Sequence, residues 1–456
     1  LRKEEEKYVP FPFFLAYTAA LLEKHGFEIS LLDAVALRLS NEKFLEKVID
    51  FSPHIVILET SIPSFDVDYS IAREIKSKAK PELLIFCGAH HHLKNKDFLQ
   101  NQDIVNMTID GEYEKTVLQI VQAFEKDRNY EHIPGILFRG KEEVIKTKPR
   151  PLDQDIDSLP FPARHLLPME KYYDGFCEIP YPSLQMWASR GCPYQCSFCS
   201  WPQLMYGSHR YRPRDPQLVL DEIEQCLDTG IYRSVYFDDD TFNIGHERIK
   251  EIARGFIERN FNVPWGFMAR ADLLNEQLLA FLKKSGLYAV KYGIESYNQQ
   301  IVDQCGKALD LKKVRDVCLF TKKLGIKMHL TFTFGLPGET RETAAETLNF
   351  ALEMDPDSVQ FSIVTPFPGS RFFEEMQQKG HLVSANWNDY DGFSTSVIKT
   401  NHLEAKELEQ IHREACQAWE KHCSRRKRRQ RAQKILYSLR HPAWGYKKLR
   451  EHLSGK

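Results

Sequence analysis

Three cysteines lie within eight residues of one another in Arg190-Gly191-Cys192-Pro193-Tyr194-Gln195-Cys196-Ser197-Phe198-Cys199. Three thiolates on one tight loop hold three irons of a [4Fe–4S] cluster and leave the fourth iron open to an outside ligand. A site one protein ligand short is built to receive something, the same logic as an open catalytic zinc site. Two plainer readings stand beside it: a structural zinc site completed by a fourth ligand such as His209, and unligated core cysteines. The chain has ten cysteines in 456 residues, too dilute for a small disulfide scaffold, so clustering of three points to metal in a reducing compartment.

The elements around this loop follow two rhythms. In residues 1–139, Phe14–His25 reads as a helix and Phe27–Leu32 as an apolar-alternating strand. His54–Leu58 and Leu83–Cys87 are short apolar runs of the kind buried in a parallel sheet, separated by helical patterns at Tyr69–Lys78 and Glu114–Phe124. This is a doubly wound α/β domain whose ligand crevice belongs at the carboxyl ends of its strands. The chain opens on charged Arg2-Lys3-Glu4-Glu5-Glu6 where a first strand is expected, so that strand is expected to be lost or to lie outside this sequence. Residues 140–183, rich in Pro and Asp, read as a linker.

From 184 to 399 a strand–helix unit recurs, with strands expected at Leu184–Ala188, Ser234–Phe237, Trp265–Ala269, Ala289–Ile294, Met328–Phe334 and Ser358–Ile363. Asp215-Pro216 and Asn275 supply helix starts, and Gly230 and Gly286 supply stops. Six such units make a partial (β/α)6 barrel with its functional groups at the strand carboxyl ends. The cysteine loop directly follows the first strand. Residues 400–456 read as a helical C-terminal extension carrying the basic run Arg425–Arg431.

Composition excludes several classes. The chain is 42% hydrophobic and 27% charged, an ordinary globular balance, and its formal charge is −1. No global field advertises nucleic acid, and the barrel loops carry no basic stripe with stacking residues. No apolar run is long enough for a membrane span and no signal-peptide pattern is present, so a cytoplasmic setting is expected. The basic end with Ile435, Leu436, Leu439, Trp444 and Tyr446 reads either as a solvated helix or as a peripheral contact with the inner face of the membrane.

The C-x3-C-x-aromatic-C spacing at the top of a βα barrel resembles the radical S-adenosylmethionine (SAM) superfamily. The resemblance implies that the open iron binds the amino and carboxylate groups of SAM, and that electron transfer cleaves it to a 5′-deoxyadenosyl radical. It extends to Tyr236–Phe242 after the second strand, which places Asp238, Asp239 and Asp240 near the methionine amine. Tyr292–Ser296 after the fourth strand offers Glu295 to the ribose hydroxyls, with Ser296 beside it. Phe334–Thr340, with Gly335 and Pro337, and Pro366–Ser370 resemble loops that close around the adenosine, and Phe198 matches the aromatic residue near the adenine. Arg270 is a partner for the ligand carboxylate or, equally, for Asp272 or Glu295. Taken singly, Asp238–Asp240 reads as a solvated turn or helix cap, Glu295 as a structural pair and Gly335–Gly338 as a plain turn. Their shared position at strand ends joins them.

The first domain resembles the cobalamin-binding domain fused to many of these enzymes, through Leu31-Leu32-Asp33, Glu59-Thr60-Ser61, Cys87-Gly88-Ala89-His90 and Asp110-Gly111-Glu112-Tyr113-Glu114. Thr60, Ser61, Gly88, Gly111 and Glu112 are the cofactor contacts this implies. The Asp-x-His-x-x-Gly pattern is absent, since Ala34-Val35-Ala36-Leu37 follows Asp33, so cobalamin is expected without a histidine lower ligand. His90, His91 and His92 read as a partly exposed loop cluster. Within the superfamily, Cys199–Gly207 and Phe237–Phe242 resemble the group of anaerobic magnesium-protoporphyrin ester cyclases, and nearer still its hopanoid-biosynthesis-associated members.

The implied activity is a cobalamin-dependent methylation, or a rearrangement or cyclisation, at an unactivated carbon of a lipid or tetrapyrrole-like substrate. An electron donor such as flavodoxin or ferredoxin is expected. Methylthiolation needs three more cysteines in the first domain, where only Cys87 is found. A non-catalytic cobalamin- or zinc-binding regulatory protein leaves the loops after strands two, four and five without a purpose.

Overall fold

The computed structural model describes residues 8–174 and 176–441. Its first sheet runs β1 (Ile55–Glu59), β2 (Leu83–Cys87), β3 (Met107–Ile109), β4 (Ile136–Arg139) and β5 (Val144–Lys146) in spatial order. β1 to β3 are parallel, and β4 and β5 are antiparallel. The alternation along β2 decides which helices cover which face. Leu84 and Phe86 pack with Leu45, Phe65, Ala72 and Ile75 on one side. Ile85 and Cys87 pack with Tyr17, Val117 and Ile120 on the other.

Two expectations fail here. Residues 27–32 form no strand; Ile29 and Leu31 instead pack on Ala19, Ala20 and Ala163, so their apolar side chains are buried without a ladder. The expected linker contributes a strand, because Val144–Lys146 pairs with β4 as a hairpin. Its later part, Phe176, Cys177 and Ile179, packs on Tyr236 and Ala289 of the second sheet.

The second sheet has the six expected strands: β6 (Ser183–Met186), then, beyond the two-residue pair β7 (Ser189–Arg190) and β8 (Arg212–Pro213), β9 (Ser234–Phe237), β10 (Trp265–Ala269), β11 (Leu287–Glu295), β12 (Lys327–Phe334) and β13 (Ser358–Ile363). Every pairing is parallel, in the order β13-β12-β11-β10-β9-β6. The helix starts read as expected. Asp215 accepts from the Gln217 and Leu218 amides, and Asn275 accepts from Leu278 N. The antiparallel pair β7–β8 clamps the base of the cysteine loop.

A long helix, Ala405–Arg440, closes the described chain. Its first half docks on the barrel, where Asp355 receives His422 and Arg426 at 2.9 and 2.8 Å. Its far end, including Ile435, Leu436 and Leu439, is exposed. Trp444 and Tyr446 lie outside the described residues. Among the described residues no helix is long and apolar enough to cross a membrane.

Candidate active site

The cysteine loop leaves β7 through Gly191, at φ +84°, where an added Cβ would lie 2.1 Å from the Arg210 carbonyl oxygen. Only glycine fits both the left-handed backbone and that approach. The loop is then fastened from several sides. Asp240 accepts from Gly191 N at 2.8 Å and from the Tyr206 hydroxyl at 3.1 Å. Asp239, fully buried, accepts from Ala188 N at 3.1 Å and from the Ser189 hydroxyl. Cys192 Sγ lies 3.2 Å from Thr241 Oγ1, Ser197 N donates to Cys305 O at 2.8 Å, and Gln203 Nε2 donates to Cys199 O at 2.6 Å.

Two side chains expected to touch a ligand therefore serve the loop itself. Asp239 and Asp240 sit at the end of β9 as expected, but their oxygens receive loop donors, because unpaired backbone N–H groups at that depth need acceptors. Asp238 differs. Burial and the neighbouring Asp174 push its carboxyl up to about 6, against the pull of Lys291. Arg270 also turns away from a ligand role. Its guanidinium holds Asp272 at 2.8 and 3.1 Å and donates to the carbonyls of Lys307 and Ala308. It also stacks 3.6 Å from the Tyr194 ring centroid, so it braces the loop from the other side.

Glu295 ends β11 at a bulge, where the register with β12 shifts between Gly293 and Glu295, and its own φ is +70°. A bulge re-aims a side chain, and a non-glycine residue held at positive φ marks a constrained position. Its two oxygens receive Lys307 Nζ at 3.0 Å and Thr333 Oγ1 at 2.9 Å. Lys307 is a residue sequence reasoning missed. Burial opposes its charge, but Glu295 and then Cys196 hold its pKa above the ordinary value. The available signal was Gly306 beside it, whose missing side chain admits Gln195 O to 2.5 Å from where a Cβ would stand.

The remaining expected residues spread along the rim. Phe198 is partly buried against the core. The Ser296 hydroxyl lies 3.3 Å from Thr347 Oγ1. Pro337 is partly exposed, while Gly335 is buried and its N–H donates to Glu339 Oε2. Glu339 is fully buried, and burial pushes its carboxyl up from 4.5 to about 8. It is therefore protonated at neutral pH, and Glu339→Gln, which keeps an acceptor for Gly335, is expected to fold normally. Between pH 4.5 and 8 the unfolded chain releases a proton that the folded chain retains, so the wild type loses stability as pH rises. Melting curves across pH 5 to 8 should show the wild type falling by several degrees relative to Glu339→Gln; parallel curves would refute a buried neutral acid.

The first domain reaches the same loop. Glu112 holds Arg190 at 3.1 Å and Arg212 at 2.8 Å, and Glu114 holds Arg190 at 2.7 Å. Arg190 also lies over Phe14, Tyr17 and Trp187, at 4.9 to 5.0 Å. Burial opposes its charge, yet Glu114 and Glu112 raise its pKa. Glu112, expected to contact cobalamin, thus joins the two domains one residue before Gly191. Of the other expected crevice residues, Thr60 Oγ1 donates to Asp68 at 2.7 Å, Ser61 is exposed, Gly88 packs on Thr60 O and Gly111 on Met205 O.

The histidine cluster departs from expectation at one residue. His91 and His92 are partly exposed as expected, but His90 is 1% exposed and stacks on Phe65 at 4.2 Å. The Phe65 ring and the strand end enclose it. His90 Nδ1 accepts from His92 N, so Nε2 carries the proton, and that buried donor has no partner among the described residues.

The residues present fit the implied groups. Burial raises the pKa of the Cys196 thiol, so a bound cation is needed to hold these three free thiols as thiolates, and Lys307 and Arg270 stand near enough to offset an anionic iron–sulfur cluster. The unsatisfied His90 donor at the crevice suits a ligand rich in amide carbonyls, as cobalamin is.

Residues 188–351 match the Radical SAM superfamily and residues 6–121 the B12 binding domain. An uncharacterized methyltransferase of Pyrococcus horikoshii is 30% identical over 408 residues, spanning 89% of this chain and 86% of its own. The chain belongs to the cobalamin-dependent radical SAM family. Other members similar to it are the anaerobic magnesium-protoporphyrin IX monomethyl ester cyclase of Cereibacter sphaeroides, 26% identical over 87% of this chain and 65% of its own. The hopanoid C-3 methylase of Methylococcus capsulatus is 25% identical over 79% and 67%. The solved cobalamin-dependent radical enzyme OxsB shares the fold, with a TM-score of 0.73 at 16% identity over 90% of this chain and 64% of its own. As a cobalamin-dependent radical SAM enzyme the chain takes a [4Fe–4S] cluster, SAM and cobalamin as cofactors.

Proposed function

We propose that this radical SAM enzyme methylates an unactivated carbon, with Cys192, Cys196 and Cys199 holding the cluster. The observation that carries the reading is the clamp on Arg190, which ties the cobalamin-domain loop Glu112–Glu114 directly to the start of the cysteine loop. The three cysteines would hold the cluster, which would supply one-electron reductive cleavage of SAM, and the first-domain crevice would hold cobalamin, which would supply methyl transfer. The protein's part is placement. Glu295 accepts from the ribose hydroxyls, and Lys307 offers its ammonium to the methionine carboxylate beside Cys196. Phe198, Ser296, Gly335 and Pro337 close around the adenosine. Thr60, Ser61, Gly88 and Gly111 border the cobalamin crevice, while Asp239, Asp240 and Arg270 keep the cysteine loop in register.

The reading includes a one-electron donor such as flavodoxin or ferredoxin. It also includes a peripheral contact of the basic helix end with an anionic membrane surface, supported by exposed Ile435, Leu436 and Leu439 beside Arg425–Arg431.

The test is anaerobic reconstitution with iron, sulfide and cobalamin, then reduction in the presence of SAM. About four irons and one cobalt per chain, with release of 5′-deoxyadenosine, are expected. Zinc in place of iron, or no cleavage by an iron-loaded protein, would refute it.

A further inference from the structure

Along three of its strands the barrel is polar inside where a packed barrel is apolar. Inward positions alternate along the strands: Lys291 and Glu295 on β11, Thr331 and Thr333 on β12, Gln360 and Ser362 on β13. None is Val, Ile or Leu, the branched residues that fill an ordinary parallel barrel. All six keep partial exposure, while the residues between them, such as Tyr292, Phe332 and Phe361, are buried against the helices. The contacts agree with this direction. Lys291 reaches Asp174 at 3.3 Å and lies over Phe176 at 6.0 Å, and Thr333 reaches Glu295 across the strands.

Both ends of this polar wall are bounded. Phe176, Ile179 and Ala289 form an apolar floor at the amino end of the strands. Gly266 leaves room for it, since a Cβ there would stand 2.9 Å from the Phe176 ring. The cysteine loop with Glu295 and Lys307 lies at the carboxyl end. Asp174 and Asp238 face the single ammonium of Lys291. Asp238 has the Tyr236 hydroxyl as a hydrogen-bonding neighbour and shares the Lys291 ammonium with Asp174, and its carboxylate keeps room to accept further donors. Gln185, on the inner side of β6, binds Phe11 N through Oε1, and its Nε2 has no partner among the described residues. Buried polar groups of this kind are costly unless a ligand satisfies them.

We infer that this chamber takes a water-soluble small molecule that presents hydroxyl or ammonium donors to Asp238 and polar edges to Lys291 and Gln360. The inference rests on the proposed radical chemistry at the chamber's carboxyl end. It stands against the lipid substrate expected from the resemblance, because an apolar ring system would strip water from these side chains and return no hydrogen bonds.

The experiment uses reconstituted holoenzyme and two defined sets of probes: amino acids, amino sugars and nucleosides in one, diploptene, squalene and cholesterol in detergent in the other. Binding is read by melting temperature and then by equilibrium dialysis. At least one polar probe is expected to bind, with affinity about tenfold weaker in Asp238→Asn, the loss expected for a hydrogen bond to a charged group. Asp238→Glu, which keeps the charge, should recover part of it. Lys291→Met serves as the second variant should Asp238→Asn fail to fold. Binding confined to the apolar set, no binding from the polar set, or polar binding unchanged in the variants would each overturn the inference. SAM cleavage measured on the same holoenzyme reports separately on the proposed function.

Discussion

Cys196→Ala is expected to lose its iron and its chemistry together while keeping its fold. The loop around it is held by Gly191 N on Asp240, Ser197 N on Cys305 O and Cys199 O on Gln203, none of which involves the Cys196 sulfur. Circular dichroism and melting temperature should therefore stay close to those of the wild type. Reconstituted iron should fall from about four per chain to a minor fraction. Release of 5′-deoxyadenosine on reduction should drop to that of a protein-free control, because removal of one of three protein ligands leaves a second iron corner without a thiolate. Cobalamin retention, governed by the other domain, should change little. Wild-type cleavage by the variant would mean that these three thiols do not hold the catalytic cluster.

Arg190→Leu should produce the largest loss of stability. The guanidinium is 3% exposed, paired with Glu112 and Glu114, and packed on three aromatic rings. Replacing it leaves Glu114, 4% exposed, as a buried carboxylate without its cation. Breaking one side of such a pair costs about 3–5 kcal/mol, or a fall in melting temperature of roughly 3–5 °C in a chain of this length. Replacing both sides often restores stability, so Arg190→Leu with Glu114→Leu should regain part of the loss. Cluster iron and bound cobalt should decline together in the single variant, since Arg190 precedes the cysteine loop and holds the cobalamin-domain loop. A single variant melting within about 2 °C of the wild type would show that the clamp does not hold the domains.

The nature of the chamber and the family relationship bear on each other. The relatives similar to this chain carry names that differ in what they act on, and Lys291, Asp238 and Gln360 are of types that bind polar groups.

Local chemistry was enough to specify the six barrel strands and the caps at Asp215 and Asn275. A buried strand declares itself by its apolar run, and a cap acts on the next turn of its own helix. The same locality explains the misses. Phe27–Leu32 alternates like a strand, but a strand needs a neighbour's free backbone edge, and the chain buries Ile29 and Leu31 on a helix instead. Asp239, Asp240 and Arg270 stand at the strand ends where the resemblance put them. Their partners were decided by which backbone groups the folded loop left unpaired. Asp174 and Lys291 come from segments more than a hundred residues apart and meet only because the segment before the barrel packs against its strands, while Lys307 meets Glu295 through the loop that follows β11. Sequence by itself therefore determined which cofactors the chain is built to hold. Tertiary structure alone decided which side chains brace the loop and which face the chamber, because charges and hydrogen-bond donors choose partners by distance in space and not by position along the chain.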